Sequence, residues 1–173
     1  MEPVASIPCI EYRPELLSRR GEYVAWGTAL VAIIAWLILH FTNTPLFGGL
    51  TFLTVLLVLS GVAISLGNWM DRRTFLRLES DSLWFDNGLR HVLLHWSEIR
   101  QVQVYPSAWG KKVRVIGDRT HFDFRTLGEV IYQGQVKGRL GFEKGEQILG
   151  RILENARLKQ VSGPENGVYY ARE

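Results

Sequence analysis

The side chains that could do acid–base, nucleophilic or metal chemistry here are four histidines, one cysteine and seventeen carboxylates, and their spacing gathers none of them into a working set. His91 and His95 would share one face of a strand, about 13 Å apart at about 3.3 Å per residue, too far to hold one metal ion. His121 stands alone, and His40 closes an apolar run where a membrane interface would begin. Gly134, Gly138 and Gly141 lack the spacing of a dinucleotide loop, and no clear strand leads into them. No nucleophile elbow or phosphate loop is present, and the carboxylates fall at no spacing that identifies an acid–base pair. The chain therefore reads as a binding protein rather than an enzyme, with no cofactor, no metal, no nucleic-acid partner and no small-molecule substrate.

Two groups of residues could bind instead. Trp109-Gly110-Lys111-Lys112-Val113-Arg114 sets an aromatic beside three cations, which could lie on lipid headgroups or on a partner. The same segment could equally be an ordinary basic hairpin with a partly buried Trp109. Phe75 and Trp84 fall out of phase with the expected core, so they serve either an interface or a second core face, and the second is the expectation. The domain that carries them has a surplus of five cations between Asp71 and Lys159, spread along the sequence rather than clustered. That charge suits a solvated surface first and attraction to anionic headgroups second.

The elements that must position these residues begin in the membrane. Tyr23–Phe41 and Leu46–Met70 are two apolar runs without a Lys, Arg, Asp or Glu, separated by Thr42-Asn43-Thr44-Pro45. A bilayer core about 30 Å thick takes roughly 20 residues of helix, so both can span it as a hairpin with a tight turn. Arg13, Arg19 and Arg20 precede the first run, and Arg72, Arg73 and Arg77 follow the second. By the bias of cations toward the cytoplasm, both ends of the hairpin face that side. The first twenty-one residues lack the basic start and apolar middle of a signal peptide, so the first span should remain as an anchor. Pro14-Glu15 either opens a short interfacial helical turn or belongs to an unstructured leader. The lone Cys9 fits a reducing compartment.

Transport would require ionisable groups within the spans, and these runs offer only His40 at an end. Tyr23, Trp26 and Trp69 fall where an interfacial aromatic belt would place them, while Trp36 lies deeper and should pack. Small residues recur at helical spacing, Ala25, Ala29 and Ala32 on the first span and Thr54, Gly61 and Ser65 on the second. Such stripes let helices approach closely, either within the hairpin or against a partner membrane protein.

After Met70 the pattern changes to short alternating segments broken by turns, the mark of half-buried antiparallel strands. Strands are expected near Thr74–Leu78, Leu83–Phe85, Val92–Trp96, Ile99–Val104, Val113–Ile116 and Phe122–Phe124, with 126–141 ambiguous. From Glu143 to Lys159, Ile148, Leu149, Ile152, Leu153 and Ala156 fall at helical spacing, so one amphipathic helix should cap the sheet. The expected divisions are a cytoplasmic N-terminal segment (1–21), a transmembrane hairpin (22–70, with helices about 22–41 and 46–70), a folded cytoplasmic domain (71–160) and a flexible tail (161–173).

Phe75 to Gly88 (FLRLESDSLWFDNG) and Val92 to Val104 (VLLHWSEIRQVQV), followed by the final helix, resemble the pleckstrin-homology (PH) fold. The chain is similar to bacterial PH-like membrane proteins, which often place a transmembrane hairpin directly before the domain; the resemblance covers Asp71 to Lys159. It implies an antiparallel sheet or barrel capped by one C-terminal helix. Eukaryotic PH domains that bind phosphoinositides carry basic residues around the first hairpin. Here that turn is the acidic Glu79-Ser80-Asp81-Ser82, so phosphoinositide recognition does not carry over. The outline of hairpin plus small β-rich domain also resembles a two-helix photosystem I assembly factor, without a distinctive shared motif. The expected role is a non-enzymatic scaffold, assembly or accessory factor in the inner or thylakoid membrane. Both termini would be cytoplasmic or stromal, and the partners would be subunits of a membrane complex and the bilayer. The alternative is a lipid-sensing or membrane-surface module.

Overall fold

The computed structural model describes residues 10–16, 18–42, 48–163 and 166–172. They fall into two compact units, Ser18–Met70 and the segments on either side of it. In the first, α1 (Arg20–Phe41) and α2 (Gly48–Arg73) have 22 and 26 residues. At about 1.5 Å per residue they are about 33 and 39 Å long, enough to cross a bilayer. Leu30, Val31 and Ile38 of α1 and Phe52, Val55 and Leu59 of α2 lie exposed, as suits helices surrounded by lipid rather than core. Glu22 in the first turn of α1 and Arg72 and Arg73 in the last turn of α2 complement the helix dipoles. The expected turn at Asn43-Thr44-Pro45 lies outside the described residues, as do Leu46 and Cys9.

The second unit is built from antiparallel strands and one helix. Strands β1 (Ile10–Tyr12), β2 (Phe75–Leu78), β3 (Ser82–Asp86) and β4 (His91–His95) form a four-stranded sheet in that order. A 3₁₀ turn at Trp96–Glu98 leads to β5 (Ile99–Pro106), β6 (Lys111–Gly117) and β7 (His121–Arg125). Among the described residues, strands β8 (Gly128–Tyr132) and β9 (Gln135–Leu140) pair only with each other, as a ribbon. Helix α3 (Gly145–Ala156) follows, then β10 (Lys159–Val161) and β11 (Val168–Ala171). The second sheet has the order β10-β11-β5-β6-β7.

Alternation accounts for the core. Leu76 and Leu78, Leu83 and Phe85, Val92 and Leu94, Val102 and Val104, Val113 and Val115, and Phe122 and Phe124 all point inward. Ile148, Leu149, Ile152 and Ala156 of α3 complete the cluster. Phe85 stacks on Phe122 at 4.8 Å, and Phe124 meets Phe142 edge-on at 5.9 Å. The two larger sheets and the ribbon remain separate rather than closing into a barrel.

Two segments differ from the expected ones, and an ambiguous one takes a definite form. Ile10–Tyr12, ahead of the expected turn at Pro14-Glu15, is a strand pairing with Leu76–Leu78. Glu15 itself forms a single bridge to Gly141 rather than opening a helical turn. The membrane hairpin is therefore inserted in the chain between two neighbouring strands of one sheet. The stretch 161–173, expected to be a flexible tail, contains β11, which pairs with Gln101–Val104 of β5 and buries Tyr169. Arg172 fastens it further, donating to the carbonyls of Ser97 (2.8 Å), Trp96 (3.0 Å) and Ala156 (3.1 Å). The last of these is an orphan carbonyl at the C-terminal end of α3, where a cation is favoured. The ambiguous region 126–141 is the β8–β9 ribbon.

Candidate binding surfaces

The Trp109–Arg114 segment begins in the loop after β5 and runs along β6. Because successive residues of a strand face opposite ways, Lys111 cannot share a surface with Lys112 and Arg114. Lys111 Nζ reaches Glu146 of α3 at 2.9 Å. Lys112 and Arg114 stand on the other face, opposite β7, where both meet Asp123. Arg114 donates through Nε to Oδ1 (2.8 Å) and through Nη2 to Oδ2 (3.1 Å), and Lys112 Nζ lies 2.9 Å from Oδ2. Burial acts to raise the Asp123 carboxyl, but the hydrogen bonds from Arg114 and Lys112 outweigh it and hold it below the usual carboxylate value. The expected basic surface is thus divided between two faces and ion-paired on both. Trp109 is exposed, and its backbone abuts Gly128 at the base of the ribbon.

Phe75 and Trp84 do share a face, the outer one of the four-stranded sheet. Register places Glu11, Arg77, Trp84 and Leu93 side by side across all four strands. Trp84 is 38% exposed and Leu93 49% exposed, so this face is open rather than the second core face expected for Phe75 and Trp84. Arg77 Nη2 donates to Glu11 Oε2 at 3.1 Å, and its guanidinium lies 5.8 Å from the Phe75 ring centroid. Hydrogen bonds from Arg13 and then Arg77 hold Glu11 below the usual carboxylate value. His91 flanks the row, its Nδ1 2.5 Å from Asp86, and His95 lies 3.9 Å from Asp81. Both histidines face outward on β4, each beside a carboxylate.

In the membrane unit, Ala29 and Gly61 are the buried residues of α1 and α2, with Ala25, Ala32, Thr54 and Ser65 partly buried. The small residues make room for a side chain. A Cβ at Gly61 would stand 3.3 Å from the Trp26 indole. Trp26 Nε1 donates to Ser65 Oγ (2.8 Å), Ser65 Oγ donates to Glu22 Oε1 (2.9 Å), and Asn68 Nδ2 donates to Glu22 Oε2 (2.8 Å). Trp36, expected to pack, also donates to Thr51 Oγ1 at 3.1 Å, and His40 stacks on it at 5.3 Å. Trp26 therefore joins the two helices as well as sitting near a span end. The seam faces inward, which leaves the outward apolar side chains to lipid or a partner.

The ribbon was missed as a surface. Gln133 (φ 51°) and Gly134 (φ 75°) form its two-residue loop, both left-handed as a type I′ turn requires. Beside the loop, Ile131 pairs with Val136 and Tyr132 with Gln135, and all four are exposed. Among the described residues, no group of three or more His, Cys, Asp or Glu side chains is placed to hold a metal ion. Open depressions lie beside Arg114–His121 and between Trp96 and Arg172, without a cluster of catalytic side chains in either. Among protein-family models, curated proteins and solved structures, none matches this chain.

Proposed function

We propose that this chain is a non-enzymatic, membrane-anchored binding protein, a scaffold, assembly or accessory factor of a larger membrane protein complex. Its β-rich unit acts as a PH-like module on the cytoplasmic or stromal side, and a photosynthetic complex is one setting for it. The run of antiparallel strands β2–β9 before the amphipathic helix α3 supports the PH-like reading, and the arginines flanking the spans support the orientation.

The observation that carries the proposal is the open outer face of the four-stranded sheet. Exposed aromatic and aliphatic side chains in a continuous row are characteristic of protein-binding surfaces. Trp84 and Leu93 supply the apolar centre, and the Arg77–Glu11 ion pair with the His91–Asp86 contact supplies a polar rim. A lipid-sensing module built on Trp109, Lys111, Lys112 and Arg114 draws less support, because Asp123 and Glu146 already neutralise much of that charge.

Crosslinking in native membranes followed by gentle detergent extraction and mass spectrometry tests the reading. Wild-type protein should carry stoichiometric membrane-protein partners with crosslinks to β3 and β4. Replacing Trp84→Ser together with Leu93→Ser should lower their recovery several-fold while the chain still folds. Recovery of free monomer alone from crosslinked membranes counts against the scaffold reading.

A further inference from the structure

We infer that the tip of the β8–β9 ribbon is a third membrane contact, a hairpin that dips into the boundary between lipid headgroups and acyl chains. The side chains around the loop have that character. Ile131 is 64% exposed, Tyr132 61% and Val136 50%, although all three are apolar or aromatic. Tyrosine is favoured at a membrane–water interface, where its ring lies among apolar groups and its hydroxyl stays wet. Farther from the tip, Lys137 and Arg139 stand on β9, with Arg139 Nε 3.1 Å from Glu129 on β8. With Arg139 held by Glu129, Lys137 is the cation behind the apolar tip that can reach phosphate oxygens while its stem lies along the hydrocarbon.

The ribbon also needs an occupant. It belongs to neither larger sheet, and among the described residues neither of its edges is paired with another strand. An isolated two-stranded ribbon is marginal in water, and open β-branched edges invite aggregation unless something covers them. The chain itself brings the bilayer. Its membrane-length helices are inserted between β1 and β2, joined to them only through residues 13–19 and Thr74. A surface tethered so closely meets the bilayer at high effective concentration, so a weakly apolar tip suffices.

The inference goes beyond the scaffold reading and can fail without it. Full-length Cys9→Ser protein carrying Ile131→Cys is labelled with a nitroxide and placed, without any partner, in nanodiscs of phosphatidylcholine and phosphatidylglycerol. A second sample carries the label at Gln160→Cys on exposed β10. At position 131 collisions with dissolved oxygen should rise and those with a water-soluble nickel chelate fall several-fold relative to position 160. A position-131 label as open to nickel as position 160 overturns the inference. A label shielded from both reagents also overturns it, because that marks contact with a second copy of the chain.

Discussion

Strand β6 and the β8–β9 ribbon, separated in the chain by β7, handle their side chains in opposite ways. β6 carries three cations within four residues, and each meets a carboxylate on a neighbouring element. The ribbon pairs Arg139 with Glu129 near its base, yet toward its tip it leaves Ile131, Tyr132 and Val136 in the open. The segment with the richer chemistry is satisfied by its own fold, and the blander one presents itself to the surroundings. Residue type alone therefore ranks binding surfaces poorly. What a folded neighbour leaves uncovered decides.

The comparison is broken most forcefully where the two regions meet. A Cβ at Gly128 would stand 2.3 Å from the Trp109 carbonyl carbon and 2.6 Å from the Gly110 nitrogen. Backbone atoms cannot yield as the end of a flexible side chain can, so the ribbon base or the β5–β6 loop must move. Gly128→Ala should cost about 3 kcal/mol, at the upper end of overpacking penalties. Urea unfolding in detergent, followed by tryptophan fluorescence, would measure it. An unchanged midpoint would mean that the two regions are not seated on each other as described.

Much of this contrast was hidden in the sequence for identifiable reasons. The strands from Phe75 to Arg125 are legible because alternation runs between clear turns such as Asp86-Asn87-Gly88, where Asp86 and Asn87 side chains accept from the turn backbone. The amphipathic pattern of α3 is equally plain. Ile10–Tyr12 is too short for a period to emerge, and β11 joins the sheet through β5, far away in sequence, with only the three-residue β10 as a nearby partner. In the ribbon, a register shift between Val130 and Ile131 breaks the alternation, and Gln133-Gly134 makes a turn that Asn-Gly would have announced. The split of Lys111 from Lys112 and Arg114 was available from the two-residue period of a strand. Their partners Glu146 and Asp123 were not, because strand pairing and helix packing bring them in.

A smaller effect sharpens the contrast from the charged side. Asp123→Asn should remove the partner of Lys112 and Arg114 and cost about 1 kcal/mol at neutral pH, the upper range for a partly exposed pair. The folded Asp123 carboxyl titrates below its unfolded counterpart, so its stabilisation is fully present above about pH 4. As the pH falls through the lowered folded value, the folded state loses the advantage. Wild type and variant should therefore differ at pH 7 and converge in acid. A gap that stays constant on acidification would locate the cost in something other than the carboxylate's charge.

The smallest effect is expected on the ribbon itself, and it discriminates best between a structural arm and a presenting one. Ile131→Ser with Val136→Ser removes an exposed cross-strand pair rather than part of the core. Surface changes of this kind stay within about 0.5 kcal/mol, so the unfolding midpoint in detergent should hardly move. If the ribbon instead folds down upon the domain, those side chains are buried and the loss should reach about 2 kcal/mol. Paired with Val113→Ala on β6, whose side chain is wholly buried, the comparison carries its own control. Val113→Ala must destabilise by about 2 kcal/mol, from lost transfer energy and the cavity left behind. A ribbon variant as costly as Val113→Ala would place the ribbon in the core of the domain and remove the basis for its reaching a membrane.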